Sequence, residues 1–359
     1  MTKARIGIIG CGGIANGKHL PSLAQVKEAE IAAFCDIIVE KAEQAKANYG
    51  TEDAKVYTDY KELLKDGSID VIHVCTPNDS HAVISIDALE AGKHVLCEKP
   101  MAKTAADARL MLEAAQRTGK KLSIGYNNRY RADSRYLKQI CEEGELGEIY
   151  FAKAHAIRRR AVPTWGVFLD EEKQGGGPLI DIGTHALDLV LWMMDNYKPK
   201  VVLGRAYHKL SQTENAANAW GPWDPAQFTV EDSAFAMITM ENGATVILES
   251  SWALNSLEVD EAKVSLSGTK AGADMKDGLR INGEKNSRLY VNKVELNSGG
   301  VAFYEGAVET AEVLEASMWI DAVLNDKETF VKPEQALVVS EILEAIYESS
   351  RTGKAVYFE

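Results

Sequence analysis

Three short segments of this sequence carry residue types at spacings that could do chemistry. Gly10-Cys11-Gly12-Gly13-Ile14-Ala15 has the form G-x-G-x-x-A. In a dinucleotide-binding turn Gly10 makes the tight corner, Gly12 lets the backbone approach a pyrophosphate, and Ala15 permits close helix–strand packing. Gly13 and Ile14 lead into a helix whose unsatisfied N–H groups face the anion. Alone, such a match also describes a turn that merely needs glycines. Its context separates the two readings, because it directly follows an apolar run at 5–10 and Asp36 ends the next such run. An acid about twenty residues past the motif accepts from the ribose hydroxyls and repels a 2′-phosphate, which favours NAD over NADP. Thr76-Pro77-Asn78 and Glu98-Lys99-Pro100 close two further apolar runs, and ligands of open parallel sheets bind at such carboxyl ends. Helix capping would equally explain Thr76 and Asn78. Lys99, set between an apolar run and a proline, is less free than an ordinary surface lysine, and Pro100 allows a cis Lys99–Pro100 bond. In the third segment, Asp181 and His185 stand four apart after Gly175-Gly176-Gly177-Pro178. That spacing puts both on one helix face. They read as half a metal site, as a capping Asp beside a surface His, or as an acid/base histidine with a carboxylate orienting it or a substrate. No second His/Asp cluster has metal spacing, so no metal is expected.

Five short runs rich in Ile and Val, at 5–10, 30–36, 70–76, 94–98 and 122–126, read as strands covered on both faces. Helix-period segments at 41–49, 82–90 and 105–118 lie between them, the last two closing at Gly92 and Gly119. This alternation predicts βαβ units and a parallel sheet. After about residue 127 the pattern changes. Helices are expected at 138–142 and 179–194, and runs 233–241 and 244–251 flank Asn242-Gly243, which predicts a hairpin with a type I′ turn. Ile281-Asn282-Gly283 offers a second, weaker hairpin. Two helices, at 308–324 and 333–350, end the pattern, with Pro333 suited to a first turn. The expected division is 1–124, a nucleotide-binding domain, and 125–359, a substrate-binding and oligomerisation domain. Lys173–Pro178 is the most flexible-looking loop.

The chain has 359 residues, with 40 Lys and Arg against 53 Asp and Glu and a net charge of −13. An acidic surface repels phosphate backbones and anionic lipid, so neither nucleic acid nor membrane is expected as a partner. Cys11, Cys35, Cys75, Cys97 and Cys141 form no CxxC pair. Four lie in or beside apolar runs, where a thiol behaves as a small hydrophobe, and a cytoplasmic setting is expected. No apolar run has the length of a signal h-region or a membrane span.

Together, Gly10–Ala15, Glu98-Lys99-Pro100, Asp181-x-x-x-His185 after a Gly-rich loop, and Tyr126-Asn127-Asn128-Arg129-Tyr130 resemble the Gfo/Idh/MocA family (glucose–fructose oxidoreductase, inositol dehydrogenase and rhizopine catabolism) across nearly the whole chain. The resemblance implies an α/β + α+β fold: an N-terminal Rossmann domain with a doubly wound parallel sheet, and a C-terminal domain on an open, mainly antiparallel sheet. It implies an NAD(P)-dependent oxidoreductase that transfers a hydride between nicotinamide and a secondary hydroxyl of a sugar, sugar derivative or cyclitol. Lys99, His185 and Asp181 carry over as catalytic residues. Gly10, Gly12, Gly13, Ile14, Asp36, Thr76, Pro77, Asn78, Glu98 and Lys99 would hold NAD. Asn127, Arg129, Trp165 and Asp181 would contact substrate. Some relatives oxidise a sugar hydroxyl transiently and eliminate a glycosidic bond, so an NAD-assisted glycoside hydrolase or lyase is the alternative. An open sheet face needs covering, and a homodimer or homotetramer is expected.

Arg158-Arg159-Arg160 is the one basic run. It reads as an anion contact or, more simply, as a solvated or intersubunit face. Trp165 serves equally for sugar stacking and for packing. Trp220-Gly221-Pro222-Trp223 resembles an insertion loop. His19 and Asn16 read as capping residues, and His81, His94 and His155 as structural.

Overall fold

A computed structural model describes residues 3–296 and 310–358. The chain divides into two compact units. The first holds residues 3–130 with 310–337, and the second holds 131–296 with 338–358. The single cut expected after residue 124 therefore differs in two ways. The first unit runs on through Tyr130, and the helix Ala311–Leu324 returns to it. That helix places Ala316, Trp319 and Ile320 in the same core as Ile6, Ile8, Leu20 and Phe34, burial that a local pattern search cannot anticipate. Residues 308 and 309 of the helix expected at 308–324 lie outside the described residues.

In the first unit, β1 (Ala4–Ile9), β2 (Ala29–Cys35), β3 (Lys55–Tyr57), β4 (Val71–Val74), β5 (His94–Cys97) and β6 (Leu122–Ile124) form one sheet in the order β3-β2-β1-β4-β5-β6. All its pairings are parallel. The order reverses at β1, the switch point where open sheets bind ligands. Sequence reading missed β3, an edge strand of three residues with no fully buried position. The helix Ala105–Thr118 begins where the Thr104 side chain accepts from Asp107 N–H, and it ends at Gly119, whose φ is +66°. Its buried stripe of Ala108, Met111, Leu112 and Ala115 recurs every three or four residues. Cys11, Cys35, Cys75 and Cys97 are buried thiols.

His94 opens β5 with Nδ1 accepting from Lys121 N–H at 3.0 Å. Burial, with the charges of Lys120 and Lys121, pushes its imidazole down from 6.5 to about 4. Below pH 6.5 the unfolded chain therefore binds a proton that the folded chain refuses, so stability is lost as pH falls from 6.5 toward 4. With partial exposure discounted, this amounts to about 2 kcal/mol. His94→Asn, whose Oδ1 takes the place of Nδ1 as acceptor for Lys121 N–H, should flatten that limb in urea titrations at stepped pH.

In the second unit, β7 (Ile149–Ile157), β8 (Pro199–Tyr207), β9 (Ser233–Met240), β10 (Thr245–Ser251), β11 (Asp260–Gly268), β12 (Ala271–Asp274), β13 (Arg280–Lys285), β14 (Arg288–Lys293) and β15 (Val356–Tyr357) form a nine-stranded sheet. Its order is β14-β13-β12-β11-β7-β10-β9-β8-β15. Pairing is antiparallel except between β7 and β10. The expected hairpin β9–β10 is present, but its turn is not type I′. Asn242 keeps a negative φ, Gly243 has φ +88°, and Gly243 N–H donates to Met240 O at 2.9 Å. This is a three-residue loop, in which a type I turn is followed by a left-handed glycine. Asn282-Gly283 lies inside β13, and the two-residue turn falls instead at Asn286-Ser287, with φ of +54° and +59°. Both positive angles match the twist of the flanking strands. One sheet face, with Ala152, Ala154, Val246 and Leu248, is buried, and the helix Thr184–Met194 packs on β7, β10 and β11. The opposite face leaves Leu203 and Met237 exposed.

Candidate functional site

In the first unit the glycine loop fits a dinucleotide. Gly10 has φ +90°, and a Cβ there would meet Cys75 O at 2.7 Å. A Cβ on Gly12 or Gly13 would meet nothing within 4 Å, so the outer side of the loop is open where a pyrophosphate must approach. Ile14, which follows it, is exposed. The Asp36 carboxylate accepts from Cys11 N–H at 2.9 Å through Oδ2 and from Ile38 N–H at 2.9 Å through Oδ1, so the acid and the loop are fixed together. Thr76, Pro77 and Asn78 follow β4 by one residue, and Asn78 opens the 3-10 turn Asn78–Ser80. Glu98 and Lys99 follow β5, and the Lys99–Pro100 bond is cis. His81 joins these two strand ends, with Nε2 at 2.9 Å from Thr76 O and Nδ1 at 2.8 Å from Pro100 O.

Beneath the loop lies a charge cluster that sequence reading missed. Lys18 Nζ reaches Glu98 Oε1 and Glu315 Oε2, each at 2.8 Å. His19 Nε2 lies 2.7 Å from the same Glu98 oxygen, and its Nδ1 lies 2.9 Å from His73 Nδ1. All five side chains are buried. Burial, with His19 and Lys18 nearby, holds His73 well below the ordinary imidazole range, so it is neutral. His19 is thus a core ligand of Glu98 and not a cap. A signal was present in the sequence: Lys18 and His19 stand three and four residues after Ala15, on the stripe that a first helix turns toward its sheet.

In the second unit a π-turn, Leu179–Gly183, opens the helix that carries Asp181 and His185, as another, Ala15–His19, follows the glycine loop. Such turns recur at functional sites. From Gly176 to Met193 every residue is buried except Asp181 and His185. A helix otherwise sealed thus presents one carboxylate and one imidazole. Trp252, itself fully buried, donates Nε1–H to Asp181 Oδ2 at 3.0 Å. The loop before the helix is pinned and not slack. Glu231 accepts from Gly177 N–H at 2.9 Å, Leu179 N–H at 3.0 Å and Tyr347 Oη–H at 2.9 Å. Burial pushes the Glu231 carboxyl up, against the pull of those donors. A Cβ on Gly177 would meet Glu231 O at 2.3 Å, so glycine is required by close approach.

Arg158 departs from the solvated face expected of its run. Its guanidinium grips both Glu261 oxygens, at 2.6 and 2.5 Å, and Nη1 lies 3.8 Å from Asp181 Oδ2. Trp165 is half exposed and meets Trp220 edge to face with centroids 4.9 Å apart. Asn127 opens a 3-10 turn, Asn127–Tyr130, in the first unit and is partly exposed. Arg129 is wholly buried, donating to Gln335 Oε1 at 2.7 Å. A guanidinium with no exposed surface is not presented to a ligand, and in this Arg129 departs from the substrate contact expected of it. Lys99 belongs to the first unit, and Asp181 and His185 to the second.

Residues 4–126 match a family profile described as an oxidoreductase family with an NAD-binding Rossmann fold, and residues 134–274 match the GFO/IDH/MocA C-terminal domain. The chain belongs to the Gfo/Idh/MocA oxidoreductase family, and its first unit is an NAD-binding Rossmann domain. It is 35% identical to D-glucoside 3-dehydrogenase of Escherichia coli (strain K12), over 98% of this chain and 97% of that protein. It is 34% identical to inositol 2-dehydrogenase of Salmonella typhimurium (strain LT2) over 54% of this chain and 56% of that one. The crystal structure of an oxidoreductase domain protein from Kribbella flavida superposes with a TM-score of 0.87 at 23% identity, covering 100% of both chains, and shows the shared fold.

Proposed function

We propose that this protein is an NAD-dependent dehydrogenase acting on a secondary hydroxyl of a sugar, sugar derivative or cyclitol. The observation that carries the reading is the pair Asp181 and His185, left open on a helix whose other positions from Gly176 to Met193 are sealed. Bound on the glycine loop, the dinucleotide supplies the hydride acceptor. His185 takes the hydroxyl proton as a general base. Lys99 donates a hydrogen bond to the same oxygen and stabilises the charge that develops on it. Asp181, held by the Trp252 N–H, orients a neighbouring hydroxyl or His185 itself. Asp36, braced against the loop, accepts from the ribose and sets the preference for NAD over NADP. Likeness to a D-glucoside 3-dehydrogenase along almost the entire chain supports the sugar class. The exposed Leu203 and Met237 on the uncovered sheet face support a homodimer or homotetramer.

The test is a panel of glucosides, free sugars and inositols with NAD or NADP, followed at the nicotinamide absorbance. NADH should accumulate in proportion to substrate oxidised, and NADP should serve poorly. Glycoside cleavage without net NADH would instead favour the eliminating alternative, and equal use of NADP would remove the role given to Asp36.

A further inference from the structure

We infer that Trp165 and Trp220 form an outer subsite that stacks the ring or aglycone of an uncharged glycoside, and that the charges beside them exclude sugar phosphates and uronates. This rests on the reading of Asp181 and His185 as a sugar site and adds to it which sugars enter.

Position comes first. Arg158 spans from Asp181, 3.8 Å from its Nη1, to the Trp220 ring, whose centroid is 5.7 Å from the guanidinium carbon. Trp220 and Asp181 therefore flank the same guanidinium, which puts the indole within reach of a second ring attached to a sugar whose hydroxyl Asp181 holds. Trp165 is 51% exposed and Trp220 47% exposed. Such open indoles offer the flat apolar faces on which sugar C–H groups and aromatic aglycones stack. They are also held in place. Asn218 accepts from Val162 N–H at 2.8 Å and donates to Val162 O and Gly221 O, while Thr164 Oγ donates to Trp220 O at 3.0 Å. Ala219 N–H donates to Arg160 O at 3.1 Å. Behind Trp165, Phe168 links it by ring contacts to the buried Trp252 that holds Asp181. The platform and the carboxylate are parts of one packed aromatic wall.

Charge then selects the occupant. One guanidinium, Arg158, stands between two carboxylates, Glu261 and Asp181, so this triad is net negative, while the neighbouring Arg160 guanidinium is turned onto Arg159 O and Asn255 Oδ1. Its fork is already spent on both Glu261 oxygens. A phosphate or carboxylate brought here must break that bidentate pair or face an uncompensated carboxylate, whereas a neutral ring needs neither.

The test compares phenyl β-glucoside, glucose and glucose 6-phosphate as substrates of the full chain with NAD. Trp220→Ala should raise KM for the phenyl glucoside about tenfold, with a much smaller rise for glucose and little movement in kcat. Trp220→Phe should restore most of the loss, and Glu261→Gln should improve use of glucose 6-phosphate. A wild-type preference for glucose 6-phosphate, or equal KM changes for both neutral substrates in Trp220→Ala, overturns the inference. If no sugar is turned over, the functional reading fails separately. Calorimetric titration of the NAD-loaded protein then decides this one: phenyl glucoside binding that is lost in Trp220→Ala upholds the subsite, and no binding overturns it.

Discussion

Lys99→Ala should lower turnover about a hundred- to a thousandfold, the usual cost of losing one donor to a developing oxyanion. NAD affinity should change little. The pyrophosphate cradle is built by Gly10, Gly12 and the start of the following helix, and its shape depends on Cys75 and Asp36 and not on the ammonium. The Lys99 backbone is fixed independently of its side chain, since Lys99 N–H donates to Glu98 Oε2 at 3.2 Å. The truncation therefore removes a charge without moving the strand end. Lys99→Arg should recover only part of the rate, because a planar fork does not reproduce a point charge. Steady-state rates beside calorimetric NAD titrations separate the two effects. Turnover within tenfold of wild type in Lys99→Ala would falsify the role assigned to this lysine.

The second large effect is on stability. Glu98→Ala should destabilise the protein by about 3–5 kcal/mol, as breaking a buried ion pair from one side does. It strands the Lys18 ammonium with Glu315 alone and leaves His19 Nε2 facing a void. Burial alone would raise the Glu98 carboxyl. Lys18 and the His19 ring outweigh it and hold the group well below the usual carboxylate range. A depressed folded value stabilises above the unfolded value near 4.5, and the gain disappears as pH falls through the folded one. Glu98→Gln keeps an acceptor of the same shape, so it should fold, with a shallower acid limb in its stability curve. Denaturant melts at stepped pH measure both variants. Equal acid limbs in wild type and Glu98→Gln would show that the carboxylate is not charged in the folded state.

The parts of the fold that declare themselves in the sequence are those whose partners are near. β1, β2 and the helix at Ala105–Thr118 show dense apolar runs or a clean stripe, and the Asn242-Gly243 hairpin joins adjacent strands. Even there, one backbone angle decided the turn type, and the residues allow either solution. β3 could not be read because an exposed edge strand has no apolar run to show. Lys18, Glu98 and Glu315 span about three hundred residues from end to end, so no window could reveal that they neutralise one another. Glu231 is similar: its carboxylate organises a loop 54 positions earlier. Gly10–Ala15, Glu98-Lys99-Pro100 and Asp181-x-x-x-His185 were legible because each is local. Arg158 was not, since its sign suggested solvent while its partners, Glu261 and Asp181, lie on distant elements.

The return of Ala311–Leu324 to the first unit has a consequence for synthesis on the ribosome. All six strands of the nucleotide sheet leave the exit tunnel before Ala316, Trp319 and Ile320 of their core, and before the Glu315 that answers Lys18. The nascent amino-terminal portion must wait, with an apolar flank and an unmatched ammonium, while nearly two hundred further codons are read. Protein made by this route completes the core of its nucleotide-binding unit only after that long stretch has been made.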